Sequence, residues 1–472
     1  MTLGSTPPRL RVVPSSAEAS PRSEPPAGFR RGFAALRYRN YRLYWFGQIA
    51  SLIGTWMQSV SQPWLVLELG GSPLQLGTVL ALQFAPAMVL APLGGVLADR
   101  VDKRNALRVT QSIAMVQAAI LCVLTLTGVV EIWHIYILAA VLGMTSAVDM
   151  PIRQSFAAEL VPREDLVNAI ALNSTSFNLA RVIGPAIAGL TLAVFGTAFN
   201  FGLNAVSYLA VLVALTMMDP GLLHRSERPA VFPSVRTSLA EGIRYAVRTP
   251  AVLWPLLLLG GMATFAMNFQ TLLPLFARNT LGLEANGYGA LYASMGAGSL
   301  IGSLILAFTR GKRPLIRLIL GGGAVFLAFE VLLGLTRSPL VAFPIVVVIG
   351  FASMLMVNTI NVTVQHGVPN ELRGRVMSLY VTVFAGTAPI GGIFAGLVAQ
   401  LFGAPAGFIL GAAFSGVFLG VVAWQLLVRR AMRRDLLAAA RELLEPLPAE
   451  RRAAISAALQ ELQVLLPQRS QR

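Results

Sequence analysis

From residue 41 onward, long apolar runs alternate with short polar links. A helix needs about 20 apolar residues to cross a bilayer. Twelve runs meet that length, at about 41–67, 74–97, 106–128, 133–157, 168–195, 198–217, 251–277, 288–309, 315–336, 339–364, 375–402 and 405–428. The pattern predicts an all-α membrane protein with twelve transmembrane helices. Only the link at 218–250 is long; it is polar, carries five Arg and divides the runs into six plus six. It is the expected central cytoplasmic loop between an N-terminal six-helix bundle at 41–217 and a C-terminal one at 251–428. Residues 1–40 are rich in Pro, Ser and Arg and lack the apolar run of a signal peptide, so they read as a disordered cytoplasmic tail. Residues 429–472 read as an amphipathic helical tail, with Ile455, Leu459, Leu462 and Leu466 on one stripe.

The positive charges assign an orientation, because cytoplasmic loops carry an excess of Lys and Arg. With the N-terminus inside, 34 Lys and Arg fall on cytoplasmic segments and two, Arg278 and Arg337, on outer loops. One more, Arg181, falls inside the fifth run. The split predicts a multi-pass protein of the plasma (inner) membrane with both termini cytoplasmic. The halves are also related. Shifted by 207 residues, 161–203 matches 368–410 at fifteen of 43 positions, including Gly184/Gly391, Gly189/Gly396 and Gly196/Gly403. The fifth run maps onto the eleventh, so the repeat is parallel, the arrangement of major facilitator transporters.

Composition narrows the class. Charged residues are 12% of 472, about half of the roughly 25% usual in soluble domains. Hydrophobic residues reach 55% and the mean hydropathy is +0.68, which excludes soluble, disordered and collagen-like chains. The net charge of +16 is spread over loops and tails, so it predicts no nucleic-acid partner. Cys122 is the single cysteine, which rules out an internal disulfide, and the three His lie far apart. Neither a metal site nor a cofactor is predicted. No Walker sequence is present, so ATP is not indicated as the energy source.

Gly94-Gly95-Val96-Leu97-Ala98-Asp99-Arg100-Val101-Asp102-Lys103-Arg104 resembles the major facilitator signature between helices 2 and 3, with Asp102 where the family usually has Gly. Gly184-Pro185-Ala186-Ile187-Ala188-Gly189 resembles the antiporter motif of drug exporters. With VPNELRGRVMSLY at 368–380, the stretch from Asp149 to Gly196 resembles the branch that includes the enterobactin exporter and macrolide-efflux proteins. The resemblance implies the major facilitator fold, with a cavity lined by helices 1, 4, 5, 7, 10 and 11. It also implies a cytoplasmic gate of Gly95, Asp99, Arg100, Lys103 and Arg104, with Asp99 facing helix 11 near Arg373 and Arg375. A topology signal alone would also account for those charges. Tight packing and a proline kink account for Gly184, Pro185 and Gly189.

Ionisable residues inside a membrane are costly and need a partner or a wet cavity. Asp149, Arg153 and Arg181 are expected to form one charged cluster, either as a structural ion pair or as a proton-coupling site. Glu330 on helix 9 is the other deep acid and the weaker coupling candidate. Polar and aromatic residues at helical spacing nominate a substrate cavity of Trp56, Gln58, Gln62, Asn173, Phe177, Asn268, Asn358 and Asn361. So few charges suit an amphiphilic small molecule. The expectation is a non-enzymatic secondary exporter of a drug, siderophore or related compound, exchanging it for protons by alternating access across the lipid bilayer. An uncoupled or lipid-moving transporter and a non-transporting receptor or scaffold are the alternatives. The oligomeric state cannot be read from the sequence.

Overall fold

In a computed structural model, the chain is described over residues 29–224, 235–308 and 316–444. Every regular element among the described residues is helical. A short 3-10 helix, Phe29–Arg37, leads into α1 (Arg39–Glu68), α2 (Pro73–Arg100), α3 (Lys103–Leu126), α4 (Ile132–Glu159) and α5 (Leu166–Met217). The central link holds α6 (Val235–Arg248). The second half contains α7 (Pro250–Phe265), α8 (Phe269–Asn279), α9 (Ala285–Phe308), α10 (Ile316–Leu335) and α11 (Pro339–His366). It continues with α12 (Asn370–Gly386), α13 (Ala388–Phe402) and α14 (Ala404–Leu444).

Nine segments among the described residues are long and apolar enough to cross a membrane. One, Arg163–Met217, has 55 residues and holds two crossings. Helices α1 and α2 complete twelve. In α1 the mean hydropathy is diluted by Gln48, Ser51, Gln58, Ser61 and Gln62, all buried against other helices rather than facing outward. Large apolar side chains such as Val167, Leu340 and Trp424 are exposed, the reverse of a soluble protein.

Two expected boundaries shift. The 3-10 helix is anchored to the bundle, with the Ala35 N–H donating to Asn168 Oδ1 at 2.8 Å and Arg37 paired with Asp165 at 2.5 Å. Ordered structure therefore begins before residue 41, although the notional tail at 1–28 lies outside the described residues. The central link is not merely a polar loop. In it, α6 docks on α12, with Glu241 paired to Arg375 and the Tyr245 hydroxyl donating to the Gly367 carbonyl at 2.8 Å. The Ile455–Leu466 stripe and the cationic loop residues Arg310, Lys312 and Arg313 also fall outside the described residues.

The repeat is visible in the backbone. Gly196 ends the fifth crossing at φ 78°, ψ 178°, and Gly403 ends the eleventh at φ 84°, ψ 162°. These are the 207-residue equivalents, and both adopt the positive φ that glycine tolerates best. The same repeat builds two seams between the halves. On one, Gly189 of α5 meets Gly289 of α9; a Cβ on Gly189 would lie 2.8 Å from the Gly289 Cα. On the other, Gly396 of α13 meets α2; a Cβ there would lie 2.7 Å from the Pro73 carbonyl oxygen. Backbones approach this closely only where side chains are absent, as in small-residue contacts between membrane helices.

Both seams lie toward the distal end of the bundle, where α1 turns into α2, away from the chain's N-terminus. Other contacts tighten that end. Trp64 stacks on Tyr288 at 5.5 Å, and the Arg278 guanidinium donates to the Leu67 carbonyl at 2.6 Å. Trp64, whose position near a helix end suggests a membrane-interface belt, is instead buried in the contact between halves.

Candidate functional site

The first charged node is Asp149, 7% exposed on α4. Its carboxylate accepts from Thr110 Oγ1 at 2.6 Å and Gln111 Nε2 at 2.8 Å, both on α3. Its second oxygen accepts from Arg153 Nε at 2.9 Å and also from Arg153 Nη2. One turn along the same helix brings the two charges together. Arg153 therefore lies within the crossing rather than in a loop, and it leaves the count of topology-setting cations. Every acceptor position that this carboxylate needs is filled by a charged or polar donor. Removing one partner of such a buried pair typically costs about 3–5 kcal/mol.

The predicted three-residue cluster does not form. Arg181 is absent from this node because α4 and α5 hardly touch: α4 packs on α2 and α3, and α5 on α1, α9 and α3. Adjacency in sequence did not become adjacency in space. Arg181 sits fifteen residues from Leu166 and fifteen from Gly196, at the middle of its crossing. Its guanidinium carbon lies 5.9 Å from the Trp56 ring centroid, and its electrostatic neighbour is Tyr292 of α9. Its Nε is buried with no hydrogen-bond partner among the described residues. Phe177, one turn earlier, meets Trp56 edge-on at 5.7 Å and is 47% exposed. Asn173, a further turn back, is half-buried. Gly184 lets α1 and α5 come together here, since a Cβ would stand 2.5 Å from the Trp56 Cβ. Pro185 presents its carbonyl to Gly289, so the glycine–proline segment packs against α1 on one side and α9 on the other.

Beside this lies a small pocket bounded by α1, α2, α4, α5 and α8. Gln58, Gln62, Gln83, Asn204 and Gln270 supply amides to its wall. Gln58 does more than line it. It donates to Gln117 Oε1 at 3.2 Å and to Gln62 Oε1 at 3.3 Å, and it accepts from Asn204 Nδ2 at 2.6 Å. These bonds join the first, third and sixth crossings. Asn204 lies on the sixth crossing, and Thr110, Gln111 and Gln117 on the third, outside the helices that the resemblance assigns to the cavity. All four stand out as polar residues inside apolar runs, the one signal that could have found them.

The other predicted cavity residues divide. Asn268 is a structural brace, 3% exposed in the break between α7 and α8. Its Nδ2 donates to the Thr264 carbonyl at 2.8 Å and the Phe265 carbonyl at 3.2 Å, satisfying carbonyls that the break leaves free. Asn358 is half-buried and donates to Ser303 at 3.3 Å. Asn361 accepts from Gln365 at 2.5 Å and neighbours Tyr380. Glu330 is fully buried in α10, and neither carboxyl oxygen has a hydrogen-bond partner among the described residues.

In the loop motif, the side chains of Gly95, Asp99 and Arg100 fall outside the described residues. Lys103 pairs with Glu159 at 2.5 Å, and Arg104 caps the end of the sixth crossing through the Leu215, Thr216 and Met218 carbonyls. Arg373 is exposed, and Arg375 is engaged by Glu241 of α6. Lys103 and Arg104 thus hold neighbouring crossings together within their own half.

Twelve crossings in two repeated six-helix bundles, meeting around a polar interior, define a major facilitator transporter. Residues 30–456 match the transmembrane secretion effector family, and the chain belongs to that family. It is 27% identical to the staphyloferrin A transporter of Staphylococcus aureus over 74% of this chain and 87% of that one. It is 28% identical to the enterobactin exporter of Escherichia coli over 81% of this chain and 91% of that one. Among solved structures, the bacterial homologue of the lysosomal transporter Spinster, inward-facing and unoccupied, superposes with a TM-score of 0.64 at 15% identity, covering 86% and 99% of the two chains. The nucleoside transporter NupG gives 0.63 at 12% identity, covering 83% and 99%. The protein is a multi-pass membrane transporter of a small molecule, not an enzyme.

Proposed function

We propose that this protein is a proton-coupled exporter of small amphiphilic compounds in the plasma membrane, with its proximal end and both termini in the cytoplasm. The orientation rests on the positive charges, and the export direction on the relatives. The observation that carries the coupling reading is Asp149, a buried acid held by α3 and by Arg153. Adding a proton to this carboxylate removes the anion that two helices share and leaves Arg153 without its counter-charge. Helix α3 and helix α4 then lose a charge-assisted contact, so the packing of the N-terminal half depends on protonation. The glycine seams let the distal end close while the proximal end admits substrate, and their separation lets it leave. Protons moving inward through Asp149 supply the free energy. Glu330 is a secondary place for a proton, buried away from the seams.

The test uses a strain lacking its main efflux pumps and a panel of fluorescent amphiphiles, followed by purified protein in proteoliposomes. Extrusion is expected to stop with an uncoupler and to follow an imposed pH gradient. Asp149→Asn should lower gradient-driven transport by about tenfold or more, equivalent to about 1.4 kcal/mol of lost coupling. Transport that ignores the gradient would overturn the proton reading in favour of an uncoupled or lipid-moving transporter. No movement of any compound would favour a receptor or scaffold.

A further inference from the structure

Arg181 poses an electrostatic problem that the fold leaves open. It stands at the middle of its crossing, where a charged side chain costs at least about 2.5–3.5 kcal/mol. Asp149, the partner expected from the sequence, is committed to Arg153, Thr110 and Gln111, and Asp165 is paired with Arg37. Glu330 lies in α10, which packs on α11 and α14 in the other half. Glu159 is paired with Lys103, and Glu68 sits at the distal end of α1 and accepts from Thr197 at 3.1 Å. No acid among the described residues is left to neutralise Arg181. The Trp56 ring offers a cation–π contact worth roughly 0.5–2 kcal/mol, which offsets only part of the cost.

The surroundings suit a ligand. Arg181 lies on the seam between the halves, since a Cβ on Gly296 of α9 would come 2.9 Å from the Arg181 carbonyl. Tyr292, beside the guanidinium, also neighbours Gln270, and Gln270 forms part of the pocket wall. Trp56 and the half-exposed Phe177 place two aromatic rings next to the charge. A guanidinium offers a planar fork of donors matched to a carboxylate. An unpaired fork beside aromatic faces is complementary to an organic anion with an aromatic or apolar body.

We infer that Arg181 is the anchor for a carboxylate-type anion on the transported compound, with Trp56 and Phe177 holding its aromatic or apolar part. The substrate thus supplies the counter-charge that the protein lacks. The site touches α5 directly and α9 across the seam, so an anion bound there contacts both halves and biases their separation. This rests on the reading that the space between the halves is the transport route, but it does not depend on proton coupling.

The experiment measures equilibrium binding to the full chain in nanodiscs, with no gradient. The probes are 1-pyrenebutyrate, 1-naphthoate and indole-3-acetate, each paired with its neutral primary amide. Wild type is expected to prefer at least one acid over its amide by about tenfold or more, the magnitude of one charge-assisted contact. Arg181→Gln should bind acid and amide alike, and Arg181→Lys should recover part of the preference. Asp149→Asn should keep it. Thermal unfolding identifies any variant that has simply failed to fold, in which case the Arg181→Lys result decides: a full wild-type preference there would overturn the fork, and a partial one supports it. Absence of an acid preference in every wild-type pair, or its persistence in folded Arg181→Gln, would overturn the inference. If transport ignores a pH gradient while the acid preference stands, the coupling reading fails alone. If gradient-driven transport stands without the preference, the anion site fails alone.

Discussion

The two seams between the halves are built on repeat-related helices, α5 in one and α13 in the other, yet they are not chemically equivalent. On the α5–α9 seam, Gly189 faces Gly289; on the α13–α2 seam, its repeat partner Gly396 faces Pro73 and Gly77. The glycine that ends each crossing has nearly the same backbone angles. Eight residues before Gly189 stands Arg181, and at the equivalent place before Gly396 stands Ala388. The shared part of the repeat brings backbones together on both seams. The unshared part puts a lone cation beside one seam only. Packing between the halves thus follows the repeat, while the anion site proposed at Arg181 belongs to one copy.

The comparison can be broken most severely at its tightest points. A Cβ on Gly77 would overlap the Gly392 carbonyl, and one on Gly289 would overlap the Gly189 backbone. Gly77→Val and Gly289→Val should each hold the distal end apart, at about 1–3 kcal/mol or more of overpacking cost. Transport should fall at least about tenfold, and a cysteine placed at Tyr288 should become reactive to an impermeant thiol reagent. Equal reactivity in the parent protein would remove the closed seam.

A smaller effect should sharpen the symmetry. Gly189→Ala and Gly396→Ala each add one methyl at repeat-equivalent positions and should lower transport to a similar extent, within about threefold of each other, or about 0.7 kcal/mol. A difference much larger than this would mean that the seams carry unequal shares of closure.

The least effect on transport is expected at a group off both seams. Glu330→Met replaces a fully buried carboxyl without partners by an apolar side chain of similar size. Removing unsatisfied polar atoms should raise stability by about 1–3 kcal/mol, measured as a higher midpoint of thermal unfolding. A lower midpoint would mean that the carboxyl stabilises the fold, and a large loss of gradient-driven transport would move Glu330 from a secondary to a principal place for the proton.

Much of the site was visible before any coordinates, but not its connections. Asp149 and Arg153 are one helical turn apart, so their pairing follows from spacing alone. The link between Arg181 and Asp149 was drawn because their helices are consecutive, and it fails because α4 turns toward α2 and α3. Gln58 and Asn268 were chosen as polar residues in apolar helices. Burial shows that the first joins three crossings and the second repairs a broken one. A single polar residue at a helical position carries no label saying which neighbour will satisfy it.

The sequence by itself determined the class: twelve apolar runs, the bias of its cations and the 207-residue repeat leave a parallel pair of six-helix bundles. These are properties of length, composition and period, and lipid enforces them on every helix alike. Only the tertiary structure decided which charges meet. Side chains have a reach of a few ångströms, whereas the packing order of helices is set by the whole bundle. That order gave Asp149 its two hydrogen bonds from α3 and left Arg181, on the seam between the halves, without a counter-charge among the described residues.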